Sequence, residues 1–169
     1  MPVCAYSADA SIANFVVNER PTVRISFGVK DAFTQDIEDA IKSGMPTVFT
    51  YSIIFKRVRG AWFNEEVGSY VFTHAVLYDI LRDEYAVTMD EASVKTVKTA
   101  DYAEMMRLMT TVDGFTVVSA SPMQKAATYE VRIMAKLHST ELPGVLGGVT
   151  FFVKLWNFET DWFVYRFIY

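Results

Sequence analysis

The chain predicts an α+β, β-rich fold: an antiparallel two-layer β-sandwich-like domain of about nine strands with two helices. Three observations carry this expectation. Apolar and polar residues alternate with period two through most of the chain, as they do when one face of a strand is buried and the other is wet. Only two stretches switch to the helical period, and each has its own start and stop signals. No repeat, low-complexity tract or Pro/Gly/Ser-rich linker divides the 169 residues, so residues 12–169 are expected to be one domain behind a flexible tail, 1–11.

The elements follow in order. "IANFVV" and "TVRISFGV" read as short strands around the turn-like cluster Asn18-Glu19-Arg20-Pro21, with Val23, Ile25, Phe27 and Val29 on one face of the second. "FTQDIEDAIKSGMP" reads as a helix. Thr34 suits its N-cap, and Asp36, Glu38 and Asp39 suit its positive end. Ile37, Ala40 and Ile41 form its apolar stripe, Gly44 fills the left-handed position after it, and Pro46 prevents continuation. "TVFTYSIIFKRVRG" is a long strand with Phe49, Tyr51, Ile53 and Phe55 on one face. "EVGSYVFTHAVLYDIL" is another, and Arg82-Asp83-Glu84 turns it into "YAVTMD".

The second helix covers "ADYAEMMRLMTTVDG". Thr99 is its expected cap, Gly114 its expected end, and Tyr102, Met105, Met106 and Met109 its recurring apolar positions. "FTVVSA" is a strand. In "TYEVRIMAKLH", Tyr129, Val131, Ile133, Ala135 and Leu137 are expected inward, and Thr128, Glu130, Arg132 and Lys136 outward. "GVTFFVKLW" and "DWFVYRFIY" close the chain as two strands around an expected hairpin loop, Asn157 to Thr160.

Composition narrows the class. Apolar residues make up 51% and aromatics 15%, enough apolar surface to offset chain entropy, so disorder is not expected. The net charge is −4, and the densest basic cluster, Lys56, Arg57 and Arg59, is split by a strand across two faces; nucleic acid is a poor partner for such a surface. The longest uncharged run near the end, "LPGVLGGVTFFV", is 12 residues and holds a Pro and three Gly, against the roughly 20 apolar residues a membrane helix needs. No transmembrane segment is therefore expected in this chain. Cys4 is the single cysteine and forms no internal disulfide. Near it, Val3-Cys4-Ala5 has small or short apolar residues at the positions a signal peptidase reads, which raises the expectation of a trimmed signal peptide.

Motifs for chemistry are sparse. None of the nucleophile-elbow, phosphate-loop, dinucleotide-binding or zinc-protease signatures occurs. His138 and Glu141 form H-x-x-E and, with His74, contain the residue types of a two-histidine, one-carboxylate metal site, but surface or capping roles are the plainer reading. Cys4 sits in the expected tail, where nothing packed would hold a nucleophile. Glu65-Glu66 and Asp83-Glu84 fall at expected turns and read as solvated charges. The methionine stripe of the second helix reads as core in preference to a binding face. Neither catalytic residues, nor cofactor, nor metal is assigned.

The densest signal is the last 19 residues, nine of them aromatic. Lys154, Asp161 and Arg166 interrupt the run, and the aromatics alternate on both faces, which points to a hairpin closing the core. Tryptophans left outside would instead form a partner or ligand surface, for which Trp156, Phe158, Trp162 and Trp62 are the candidates.

From about Ile12 to Tyr169 the chain also resembles the bacterial domain-of-unknown-function family 4390. The resemblance is carried by "IEDAIKSGMPTVFTYSIIFKRVRGAWFNEEV", "LYDILRDEYAV", "TYEVRIMAKL...LPGVL" and "LWNFETDWFVYRF" in that order. It implies export, since members typically carry an N-terminal signal or membrane anchor, and a neighbourhood near sensor histidine kinases for some. It carries over no activity, cofactor or catalytic residue. The expected function is a non-enzymatic protein-interaction module of the bacterial envelope, with an envelope protein as partner. A binder of a small apolar or lipid-like ligand, held between sheet and helix, is the alternative. Oligomeric state is left open.

Overall fold

The computed structural model describes residues 10–19, 22–60, 63–118, 123–139 and 158–169. Among them, in chain order, are β1 (Ser11–Asn18), β2 (Val23–Lys30), α1 (Gln35–Lys42), β3 (Thr47–Val58), β4 (Glu65–Asp79), β5 (Glu84–Met89), β6 (Lys95–Thr99), α2 (Tyr102–Thr110), β7 (Thr111–Val118), β8 (Thr128–Ser139), β9 (Phe158–Glu159) and β10 (Phe163–Ile168). The fold is α+β and β-rich, with ten strands in two antiparallel sheets among the described residues.

The large sheet runs β10-β8-β3-β4-β5-β6, with β9 continuing along the same side of β8 as β10. The small sheet runs β1-β2-β7. β3 is the centre: it pairs with β4 and β8 along nearly its whole length. That position explains its alternation, because Phe49, Tyr51, Ile53 and Phe55 all face the second layer and are fully buried.

The second layer is mixed. The small sheet covers one part of the large one: Phe27 meets Tyr51 edge-on at 5.7 Å, Phe115 stacks on Phe72 at 5.0 Å, and Phe15 lies 5.0 Å from Phe163. Tyr70 also donates its hydroxyl proton to the Val117 carbonyl across the layers. The helices cover the rest. α1 buries Ile37, Ala40 and Ile41, and α2 buries Met105 and Met109. The methionine stripe is therefore core. The opposite face of the large sheet is wetter, with Val71, Leu77, Val164 and Ile168 exposed.

The two helices show what local chemistry could settle. Thr34 is the N-cap of α1 as expected, though its carbonyl alone serves the helix, accepting from Glu38 N–H at 3.0 Å. Gly44 takes φ +82, the left-handed conformation that lets the chain leave the helix. In α2 the cap is Asp101, whose carboxylate accepts from Ala103 N–H at 2.9 Å. Thr99 stands two residues earlier and instead donates to Glu104 Oε2 at 2.7 Å. Gly114 does not end α2; β7 starts at Thr111, and Gly114 lies within it at φ +62, where an extra residue bulges β7 against β2.

Four further expectations are corrected. β6 is a strand that the sequence reading did not separate from its loop. Glu65-Glu66 opens β4 instead of making a turn, and Glu65 pairs with Arg57 and Arg59. Glu130 sits on the outward face of β8 but has no exposed side chain, because Arg132 and Arg166 close over it. Asn157 to Thr160 is not a hairpin loop in its described part: Phe158–Glu159 is a strand, paired to β8. The final aromatic strand is correspondingly at the end of the sheet order, wet on one face, and not central.

A candidate functional site: the aromatic cleft at the β9–β10 bulge

The site arises from a mismatch in strand length. Glu159 pairs with Lys136, and Phe163 pairs with Ile133, so the final strand advances four residues while β8 advances three. The surplus residue must leave the ladder, which makes a bulge and re-aims the side chains around it. Thr160 fixes where this happens. Its N–H donates to the Ala135 carbonyl at 2.9 Å, and its hydroxyl accepts from Ala135 N–H at 3.1 Å. A buried threonine bonded both ways to one residue holds the near side of the bulge in place, and Asp161 and Trp162 project beyond it into solvent.

Beside the bulge lies an open cleft of about 500 Å³. Phe158, Glu159, Asp161, Trp162 and Phe163 form one wall, and Ala10, Ser11 and Ile12 at the start of β1 form the other. β1 is held over this edge by Phe15, whose ring lies 4.9 Å from Tyr165 as well as near Phe163. Phe158 is anchored inward by an edge-on contact with Phe49 at 5.8 Å. Trp162 is the opposite case, 40% exposed. Glu159 shares its carboxylate with Lys136 at 2.7 Å, while Asp161 has no ion pair among the described residues. Among the described residues the lining holds two carboxylates and no cation.

Two of the four candidate residues, Phe158 and Trp162, thus come together in this cleft. Trp62 and Trp156 lie outside the described residues, as do Cys4 and Glu141. Missed by sequence reasoning was the acidic component, Glu159 and Asp161, because the bulge that sets Asp161 beside the aromatics has no signature beyond the polar pair itself.

His74 is displaced furthest from expectation. It is not a surface histidine: its ring is fully buried, 5.1 Å from that of Tyr51. Nδ1 donates to the Leu108 carbonyl at 2.9 Å, and Nε2 meets Glu91 Oε2 at 2.8 Å. Tyr51 does the parallel job, donating its hydroxyl proton to the Met109 carbonyl at 2.6 Å. Two core side chains from the sheet thereby satisfy carbonyls that the end of α2 leaves without helical partners. With both nitrogens engaged, His74 has no free position for a substrate or metal ion. Among the described residues no group of three or more His, Cys, Asp or Glu could hold a metal.

A second cleft, of about 270 Å³, opens at the rim of α2. Met89 and Leu108 line it, but so do Glu91, Lys95, Arg107 and Asp113, which make it a charged recess. The interface between α2 and the sheet is itself filled by Met105 and Met109. No helix among the described residues is long and apolar enough to cross a membrane.

The family described as a domain of unknown function, DUF4390, matches residues 8–166. No curated protein and no solved structure matches the chain.

Proposed function

The chain belongs to the DUF4390 family, and we propose that it is a non-enzymatic protein-interaction module of the bacterial envelope that receives its partner in the cleft between β1 and the β9–β10 bulge. One observation carries the reading: Trp162 stands 40% exposed in a recess whose other aromatic members, Phe158 and Phe163, are only half-buried. Tryptophan in such a setting offers a large apolar area at low conformational cost, and it is among the residues that most often anchor interfaces. The engaged nitrogens of His74 support the non-enzymatic half of the reading. Export rests on what the family resemblance implies, an N-terminal signal or membrane anchor.

The test is photo-crosslinking in bacterial cells that produce the full-length protein. A crosslinker replaces Ser11, which lines the cleft without contributing its aromatic surface, and a control crosslinker replaces the exposed turn residue Leu81. A discrete protein adduct from position 11 and none from position 81 is the expected result, with the domain accessible to protease in spheroplasts. Equal adducts from both positions, or none from position 11, would overturn the docking site. Protection from protease in intact spheroplasts would overturn export.

A further inference from the structure

We infer that the occupant of this cleft is an extended protein segment bearing a basic side chain, arginine or lysine, seated against Trp162 with Asp161 as its counter-ion. The inference rests on the docking reading above and adds the chemistry of the partner. Three features of the cleft lead to it.

The first is charge. The lining residues include Glu159 and Asp161 and, among the described residues, no cation. Glu159 is already shared with Lys136, whereas Asp161 is exposed and has no ion pair among the described residues. A carboxylate in this position attracts a cation and repels an acidic segment.

The second is the aromatic surface. Trp162, Phe158 and Phe163 line the same recess as the carboxylates. Arginine and lysine are the side chains that match both parts, since each carries an aliphatic stem that packs on apolar surface and a cationic head that remains polar. Among aromatic rings the indole attracts a cation most strongly. A neutral apolar side chain would fill the recess but leave Asp161 facing it uncompensated.

The third is the setting. The cleft is open, and it abuts β10, the last strand in the order of the large sheet, on whose outer side no strand pairs among the described residues. An extended segment can lie along such an edge with its backbone while one side chain enters the recess. At about 500 Å³ the recess accommodates one long side chain with room for its neighbours.

The experiment uses the whole chain and three short extended peptides identical except at the central residue: arginine, its neutral isostere citrulline, or glutamate. Binding is followed by NMR through the Trp162 indole N–H, assigned with a Trp162→Phe variant, and through the amides of residues 158–163. The arginine peptide should bind about ten-fold tighter than the citrulline peptide, and the preference should shrink as salt rises from about 0.05 M to about 0.5 M. Asp161→Asn, at an exposed position that the fold does not depend on, should abolish the preference while leaving the spectrum otherwise intact. Trp162→Ala should weaken the arginine peptide by about ten-fold, with Trp162→Phe intermediate.

Equal binding of the arginine and citrulline peptides, an unchanged preference in Asp161→Asn, or shifts confined to residues outside 158–163 would each overturn the inference. These failures are separable from failure of the docking reading. A cleft that crosslinks to a partner at position 11 yet ignores peptide charge refutes only the cationic segment, whereas a cleft that crosslinks to nothing removes its premise as well.

Discussion

The buried carboxylate of Glu130 accepts a hydrogen bond from Arg166 Nε at 2.6 Å, across the pair formed by β8 and the edge strand β10. Its other oxygen accepts from Arg132 Nε, also at 2.6 Å. Burial alone would raise this carboxyl, but the hydrogen bonds and positive charges of the two arginines outweigh it and hold the group below its ordinary value of 4.5. The folded state therefore prefers the ionised form. The stability this contributes is complete above 4.5 and is lost as pH falls through the depressed folded value. We predict that Glu130→Gln destabilises the domain by about 1–3 kcal/mol at neutral pH. The difference from wild type should narrow on acidification, a trend that thermal melts over a descending pH series would reveal.

At the alkaline end, four tyrosines should ionise late. Burial first, then the charge of Glu91, raises Tyr51 strongly, and burial, then Glu38, raises Tyr102 to about 12. A hydrogen bond to Asp83 leads the causes that raise Tyr78 to about 12, and burial leads those for Tyr85. Each favours the protonated phenol in the folded state, so its contribution is whole below 10.0 and is lost as pH climbs through the folded values. Phenolate absorbance should show four of the nine tyrosines, Tyr51, Tyr78, Tyr85 and Tyr102, ionising only above 10.0 or together with unfolding. A single transition covering all nine would contradict this.

The end of α2 makes a separate prediction. Tyr51→Phe keeps the ring stack and deletes only the donor to the Met109 carbonyl, leaving that acceptor buried and unmet. A loss of about 1–2 kcal/mol in denaturant unfolding is expected. His74→Leu removes two hydrogen bonds at once and should cost more, about 2–4 kcal/mol.

The bulge can be tested through Thr160. Thr160→Val preserves the branched shape but takes away the acceptor for Ala135 N–H. Stability should fall by about 1–2 kcal/mol, and the Ala135 amide should exchange with solvent markedly faster than its neighbours on β8. Unchanged exchange at Ala135 would mean that the hydroxyl does not hold the bulge.

Much of this fold is legible in the chain, and the illegible parts share a cause. Phe49, Tyr51, Ile53 and Phe55 announce a buried strand face because alternation records burial directly. Ile37, Ala40, Ile41 and Gly44 announce a helix and its end because each requirement is met by neighbours in sequence. Glu130 misleads because its burial depends on Arg166, 36 residues away, and a charge at an outward position reads as solvated until its cover is known. His74 misleads likewise: its partners Leu108 and Glu91 are brought to it by α2 and by the turn after β5. Asp101 outranks Thr99 as the cap for a smaller reason, a two-residue shift in where the helix begins. For the cleft, the aromatics Phe158 and Trp162 were visible as candidates. Their conjunction with Asp161 was not, because one surplus residue relative to β8 creates it.

The side-chain bonds at the end of α2 bear on how the domain comes apart. Nine residues are too few for a helix to persist alone in water. Its last turn is wired by Tyr51 to the central strand β3 and by His74 to β4. Peeling α2 away would strand a tyrosine hydroxyl and an imidazole inside an apolar layer, so the helix has no cheap route to fray by itself. It should open in one cooperative step with β3 and β4, sharing their protection from exchange, whereas β10 at the sheet's margin can detach in a smaller excursion. The end of the domain that carries the cleft is then also the end freest to adjust to whatever enters it.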